Sequence, residues 1–248
     1  MLSDNLTVPL FWITKTTLEV KNQTMKTASR DKEKVSYTKP KSVVETVADY
    51  MRESIVAGDL EPGEKISNTD ITKKLGVSSI PVREALRILE SEGLVVSRSG
   101  RGSWVSSVSH KDLEEVIEMR IFLEMFGVDL LRKNIEKNPE ILKRLKTIDI
   151  REQAANLGPE SCLIFHRRLI ELAENRKLLA LYDMMLTYTR RYQRMAYTIR
   201  HGGNCCIEPH SAILVPIIQG DYEKAKKAIQ AHHEDGKEKL LANLELSE

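Results

Sequence analysis

Three of the six histidines lie on apolar faces of predicted helices, an unusual place for a side chain that is normally half exposed. His166 has the helical spacing of Leu163 and Ile170, and His210 and His232 lie on similar apolar stripes further along the chain. Imidazoles on three helices can converge in the core of a bundle and bind a divalent metal. Each histidine taken alone is explained more simply as a hydrogen-bonded core residue, so a metal site is predicted only from the three together.

The elements that would position these histidines belong to a region with helical patterns only. Ser109 can cap the first helix, and residues 109–248 are predicted to form an all-α bundle of about six helices. Pro216 is expected to kink the helix of His210. His233 has the spacing of polar residues and is predicted to be exposed. The predicted helices cover roughly 110–134, 139–156, 159–174, 177–200, 207–219 and 221–244.

A different order of elements precedes the bundle, at residues 41–108. Apolar spacing predicts a helix over 43–56, a second helix capped by Asn68 or Thr69, and a third with Pro81 in its first turn. Two β-favouring runs follow, and the glycine-containing turn between them predicts a hairpin. Three helices and a hairpin wing are the order of a winged helix-turn-helix, so the fold class is mostly α, with this domain followed by the bundle.

Composition limits the classes of protein that remain. The 248 residues suffice for two domains, and the 5% aromatic content favours helix over sheet. An odd number of cysteines and the lack of a secretory leader indicate a reducing cytoplasm, and no stretch approaches the roughly 20 apolar residues that span a membrane.

Residues 1–40 have no sustained period and are predicted to be a disordered tail; the alternative is that Met25 is the true start of the protein. Residues 41–108 hold nine basic and ten acidic side chains, so a DNA-binding surface there must concentrate positive charge locally.

The second and third helices contain a specific signature. It runs through Ile66-Ser-Asn-Thr-Asp-Ile-Thr-Lys-Lys-Leu-Gly-Val-Ser and Pro81-Val-Arg-Glu-Ala-Leu-Arg-Ile-Leu-Glu-Ser-Glu-Gly-Leu-Val, and ends with Gly102-Ser-Trp-Val. Residues 43–108 therefore resemble the GntR family, which implies operator DNA as a partner and a third helix in the major groove. Arg83 matches the family's DNA-contacting arginine, whereas Thr69 and Ser79 stand where many members have arginine. Further candidate contacts are Lys73, Lys74, Ser78, Ser79, Arg87, Arg98, Arg101 and Gly102.

The bundle carries a second resemblance, to the FCD effector domain of the FadR subfamily. That domain typically binds a divalent metal through one Asp and three His, which implies His166, His210 and His232 as ligands, and its Asp position is Cys162 here. Four such ligands suit zinc or a nickel-class metal. If Cys162 is only a buried apolar residue and not a ligand, either the three histidines bind a metal with one coordination position open, or no metal binds. The resemblance spans about 109–245 and is carried by Phe165-His166-Arg-Arg-Leu-Ile-Glu-Leu-Ala-Glu-Asn175, His210-Ser-Ala-Ile-Leu, and Gly220-Asp221 followed by Ala225, Ile229 and His232.

These features predict a cytoplasmic transcriptional repressor that binds a palindromic operator as a homodimer. The expected effector is a small metabolite, for which the FCD resemblance implies an organic acid at the metal site. Arg120 matches a pattern in the first helix of the FCD domain and is expected to pair with an effector carboxylate or with Glu124, one turn on. A hydrolytic metalloenzyme is the alternative from a different class, but the chain has no His-Glu-x-x-His pattern, and we expect no catalysis. A structural DNA protein would show salt-sensitive binding without sequence preference.

Overall fold

The computed structural model describes residues 41–154, 159–199 and 210–244. The predicted disordered tail, residues 1–40, lies outside them. The described part is mostly helical, with one small antiparallel sheet, which confirms the predicted fold class. No helix among the described residues combines the length and the apolar character that crossing a membrane requires.

The first three helices and the sheet form a winged helix-turn-helix. Helix α1 (Val43–Ala57) begins at a capping box of Ser42 and Glu45 and ends at Gly58 in the left-handed conformation. The strands pair antiparallel in the order β1-β3-β2, with β2 and β3 forming the predicted hairpin. The remaining elements are β1 (Lys65–Ile66), α2 (Asn68–Leu75), α3 (Ser79–Ser91), β2 (Val95–Arg98) and β3 (Gly102–Val105).

Two details of this domain differ from the sequence prediction. Helix α2 is capped by Ser67, whose hydroxyl accepts the amide proton of Asp70, so the prediction of Asn68 or Thr69 is wrong. The chain enters the helix one residue earlier because Ser67 itself can serve as the cap. The short strand β1 was not predicted, since two residues are too few to show alternation and become a strand only by pairing with β3.

One apolar core holds the helices and the wing together. The buried residues of this core include Met51 of α1, Val82 and Leu89 of α3, Leu94 just before the hairpin and Val95 at the start of β2. Burying a side chain of this size stabilises the fold by roughly 1.5–3 kcal/mol. The opposite face of α3 is left exposed, and this is the face that a recognition helix presents to DNA.

Six helices follow among the described residues, in agreement with the predicted bundle of about six; residues 207–209, the predicted start of the fifth, lie outside them. Helix α4 begins at Ser109, whose hydroxyl accepts the amide proton of Asp112, and α8 ends at Gly220 in the left-handed conformation. Helix α9 packs against α4, α7 and α8, so it is buried on a wide arc. The predicted kink at Pro216, inside α8, stays a prediction. The helices are α4 (His110–Lys137), α5 (Glu140–Ala154), α6 (Pro159–Leu172), α7 (Arg176–Ile199), α8 (Ser211–Gln219) and α9 (Tyr222–Asn243).

Helix α7 of the bundle also holds the winged helix-turn-helix, through three side chains. Tyr188 donates its hydroxyl proton to the carbonyl oxygen of Glu92, at the end of α3. Arg191 donates to the hydroxyl of Ser106, just after β3, at 2.8 Å and to its carbonyl oxygen. The Nε of Arg194 donates to the carbonyl oxygen of the last residue of α1 at 3.2 Å. One helix thus contacts the carboxyl ends of three elements of the winged helix-turn-helix.

Candidate metal centre and DNA-binding surface

The structure brings together the four side chains that the sequence singled out as candidate ligands. Cys162 and His166 lie one turn apart on α6, His210 precedes α8, and His232 lies on α9. All four are buried, and each offers a ligand atom within 4.8 Å of the others. The imidazole ring centroids of the three histidines lie 4.8 to 5.0 Å apart. That metal binds at this cluster stays a prediction.

The donor set of the cluster fits a borderline-soft divalent metal. The Sγ of Cys162 lies 3.6 Å from the Nε2 of His232, which leaves room for the two atoms to share an ion after a small adjustment. One thiolate and three imidazoles can close a tetrahedral site for zinc. The Nε2 of His166 is a buried atom without a hydrogen-bond partner among the described residues, and a metal ion would supply the missing partner.

A buried carboxylate, Glu124 of α4, lies next to this cluster. Its Oε2 lies 2.7 Å from the Nδ1 of His166, and its Oε1 lies 2.7 Å from the Nε2 of His233. Tyr182 of α7 donates its hydroxyl proton to Oε1 at 2.5 Å. From the sequence, Glu124 was expected only as a partner of Arg120, because no periodicity distinguishes a buried glutamate from a surface one.

The prediction that His233 is exposed is wrong. Its side chain is 3% exposed and contacts Glu124. Helix α9 packs against α4 on one side and α8 on the other, so its buried arc is wide enough to include both His232 and His233. Glu124, His166 and His233 form a second group with metal-ligating atoms within 4.8 Å of one another.

The electrostatics of the site favour neutral histidines around an ionised carboxylate. Burial lowers the pKa of His166 to about 4 and that of His210 to about 3. Burial by itself would raise the pKa of Glu124, but the two histidines beside it hold that pKa well below its usual range. Neutral imidazole is the form that binds a metal, so the histidine ligands require no deprotonation at neutral pH, whereas Cys162 would bind as the thiolate.

Arg120 is 3% exposed and is already engaged by protein groups. It donates to the hydroxyl of Tyr182 at 3.0 Å and to that of Thr189 at 3.5 Å, and its Nη2 lies 3.5 Å from the Oε1 of Glu124. The ion pair with Glu124 is the second of the two expectations for this residue. Pairing with an effector carboxylate stays a prediction.

The candidate DNA-contacting residues are all exposed. Arg83 is exposed on α3, whereas Leu86 and Leu89 are buried, and it donates to the hydroxyl of Ser79 at 3.3 Å. Arg87, one turn further on, is paired with Glu84 at 2.8 Å. The other exposed candidates are Lys73, Lys74, Ser78, Ser79, Arg98, Arg101 and Gly102. Contact with DNA stays a prediction for each of them.

Comparison with known proteins gives two family matches. Residues 43–105 match the gntR family of bacterial regulatory proteins, and residues 115–235 match the FCD domain. The HTH-type transcriptional regulator YdhC of Bacillus subtilis is 29% identical over 201 residues, which cover 79% of this chain and 89% of that protein. A probable D-xylose utilization operon transcriptional repressor of Paenarthrobacter nicotinovorans is 29% identical, with 77% and 85% covered. Among solved structures, E. coli McbR/YncC superposes with a TM-score of 0.62 at 19% identity, with 81% of this chain and 98% of that chain covered, and shows the same fold.

A winged helix-turn-helix of the gntR type joined to an all-helical FCD domain is the arrangement of a DNA-binding transcriptional regulator. The two matches together cover most of the chain, from the first helix of the winged domain to the last helix of the bundle. The chain belongs to the GntR family of transcriptional regulators and carries an FCD domain. The domain boundaries predicted at 40/41 and 108/109 stay predictions.

Proposed function

We propose that the protein is a repressor that binds a palindromic operator as a homodimer and is controlled by a divalent metal and a small metabolite, an organic acid, at the buried cluster of the bundle. The observation that carries this proposal is the group of four converging ligands, Cys162, His166, His210 and His232. A regulator needs a sensor connected to its DNA-binding domain, and α7 provides that connection. The name of the Paenarthrobacter relative supports repression rather than activation.

The homodimer is supported by an apolar stripe on α4. Met119, Phe122 and Phe126 are 47%, 65% and 44% exposed, and their spacing places them on one face of the helix. Large apolar side chains grouped on a surface mark an interaction site more often than scattered ones do. A single winged domain also buries too little surface for tight specific binding, so two copies are needed on the operator. Sedimentation equilibrium of the full chain measures the oligomeric state.

The experiment that tests the proposal is a fluorescence-anisotropy titration of the full chain. Labelled DNA from upstream of its own gene is compared with random DNA of the same length, at fixed salt, with EDTA or with zinc. Tight binding to the upstream DNA that changes between EDTA and zinc supports a metal-controlled regulator. Equal affinity for both DNAs under every condition contradicts specific regulation at that promoter.

A matched pair of variants in the same titration tests the predicted recognition helix. Arg83→Ala removes an arginine at the amino-terminal end of α3 and should weaken operator binding by about 1–3 kcal/mol, with less loss on random DNA. Arg132→Ala removes an equal charge from an exposed position on α4, outside the candidate DNA contacts, and should change the affinity much less. Equal effects of the two substitutions on both DNAs would show that Arg83 acts only through its charge.

A further inference from the structure

We infer that Glu124 is a positioning residue for the proposed metal centre, because it fixes His166 as the Nδ1–H tautomer and leaves the Nε2 of that ring to bind the metal. The inference rests on the metal site of the proposed function. It adds an outer-shell residue from α4, a helix that contributes none of the four candidate ligands.

Glu124 determines which ring nitrogen of His166 carries the proton. The Oε2 of Glu124 lies 2.7 Å from Nδ1, and an ionised carboxylate can only accept a hydrogen bond. The proton of the neutral ring is therefore on Nδ1, and Nε2 carries the lone pair. Both side chains are fully buried, so water does not compete for either nitrogen.

The Nε2 of His166 is the ring nitrogen that remains without a proton. The Nε2 of His166 is buried and has no hydrogen-bond partner within the described ranges. An unsatisfied buried acceptor costs free energy, and such an atom in a native fold calls for a ligand. The neighbouring ligand atoms of Cys162, His210 and His232 lie within 4.8 Å. A metal ion among them would accept the lone pair, and a carboxylate on the far nitrogen would orient the ring and make it more basic.

A second metal site at Glu124 is the alternative to an outer-shell role for this residue. Glu124, His166 and His233 also lie close enough to share an ion. However, the Oε1 of Glu124 already has the hydroxyl of Tyr182 at 2.5 Å, the Nε2 of His233 at 2.7 Å and the Nη2 of Arg120 at 3.5 Å. A cation there would displace protons and face the guanidinium of Arg120, so the carboxylate serves His166 and not a metal of its own.

The test measures zinc affinity of the full chain by competition with a chromophoric chelator. Glu124→Gln keeps the shape of the side chain but weakens its hold on the Nδ1 proton, and zinc affinity should fall by roughly 10- to 100-fold, the usual effect of removing such a partner. His233→Gln is the matched control, because it contacts the same carboxylate from the other side. It should lower the affinity by much less than tenfold and leave the stoichiometry at one zinc per chain.

NMR keeps the inference falsifiable if Glu124→Gln does not fold, and a Co²⁺ spectrum tests the metal site on which the inference rests. In the wild-type protein with 15N-labelled histidine, NMR should show His166 protonated on Nδ1 without metal and coordinated through Nε2 with zinc. The Co²⁺-substituted wild type should show a thiolate-to-metal charge-transfer band, which Cys162→Ser abolishes and His233→Gln retains.

The outcomes separate the two proposals. If the wild type binds no zinc, Co²⁺ or Ni²⁺, the metal part of the proposed function is wrong and the role of Glu124 falls with it. If the wild type binds one zinc but Glu124→Gln binds it equally well, or if zinc binds the Nδ1 of His166, only the role of Glu124 is overturned. Two zinc ions per chain, one of them lost in His233→Gln, would also overturn it and would assign a second metal site.

Discussion

Replacing Gly93 with alanine will loosen the contact between the winged helix-turn-helix and α7. Gly93 follows α3 with φ of 72°, the left-handed region, so any side chain there costs about 1–2 kcal/mol in backbone strain. A Cβ at this position would also overlap the hydroxyl oxygen of Tyr188, which donates to the carbonyl of Glu92. Losing that hydrogen bond costs about 1 kcal/mol, and the overlap adds about 1–3 kcal/mol.

Gly58 provides the matched control. It follows α1 with φ of 82°, and a Cβ there would meet nothing within 4 Å. Gly58→Ala therefore pays only the backbone cost, and Gly93→Ala should destabilise the protein by about 2 kcal/mol more. Tyr188→Phe removes the overlapping oxygen and leaves the ring carbon Cζ at an ordinary 3.6 Å, so it should rescue Gly93→Ala by about 1–2 kcal/mol.

The assay is urea denaturation of the four variants and the wild type at one zinc concentration, with the free energy of unfolding taken from the transition midpoints. The double variant should be more stable than the sum of the two single substitutions predicts. If Gly93→Ala and Gly58→Ala cost the same, or if Tyr188→Phe gives no rescue, α7 does not press on the end of α3 as the structure shows.

Two further predictions concern the bundle. In metal-free folded protein, His166 and His210 have pKa values near 4 and 3, whereas histidines of the unfolded chain have pKa values near 6.5. Below about pH 6.5 the unfolded chain therefore binds more protons than the folded protein. The free energy of unfolding should therefore decrease from about pH 6.5 down to about pH 4, approaching about 1.4 kcal/mol per pH unit for each histidine; a flat profile between pH 7 and 5 would refute neutral buried imidazoles. Gly127→Ala should destabilise the protein, because the new Cβ would lie 2.6 Å from the Cδ1 of Ile170. Overpacking of this kind costs about 1–3 kcal/mol, which outweighs the gain in helix propensity. Gly236→Ala is the control: a Cβ there would meet nothing within 4 Å, so this substitution should stabilise the protein by about 1 kcal/mol. Stabilisation by both substitutions in urea would show that α4 and α6 are less closely packed than the structure indicates.

The elements were predictable because their signals are local. Apolar periodicity predicted the helices, and Ser109 and Gly58 marked helix ends by capping chemistry that needs only neighbouring residues. Strand β1 was missed because its two residues form a strand only through long-range pairing. The cap of α2 was misplaced by one residue, since Ser67 and its neighbours are equally capable side chains.

The candidate site was only half predictable. His166, His210 and His232 were found because each continues an apolar stripe, and that signal is independent of the partner helix. His233 was predicted to be exposed because a single stripe of apolar residues was taken as the whole buried face of α9. This helix packs against several others, so its buried face is wider than one stripe. Glu124 could not be found in this way, because only the tertiary packing shows that its carboxylate meets two imidazoles and a phenol.

Helix α7 imposes a constraint on how this sequence can vary. Tyr182 reaches the buried carboxylate, and Arg191 and Arg194, two to three turns later, reach the winged domain. Between them the helix contains neither glycine nor proline, so it behaves as one rigid rod with a rise of about 1.5 Å per residue. Inserting or deleting one residue would rotate one end relative to the other by about 100°. The length of the stretch 183–187 is therefore fixed by the register between the two ends, whatever side chains it carries.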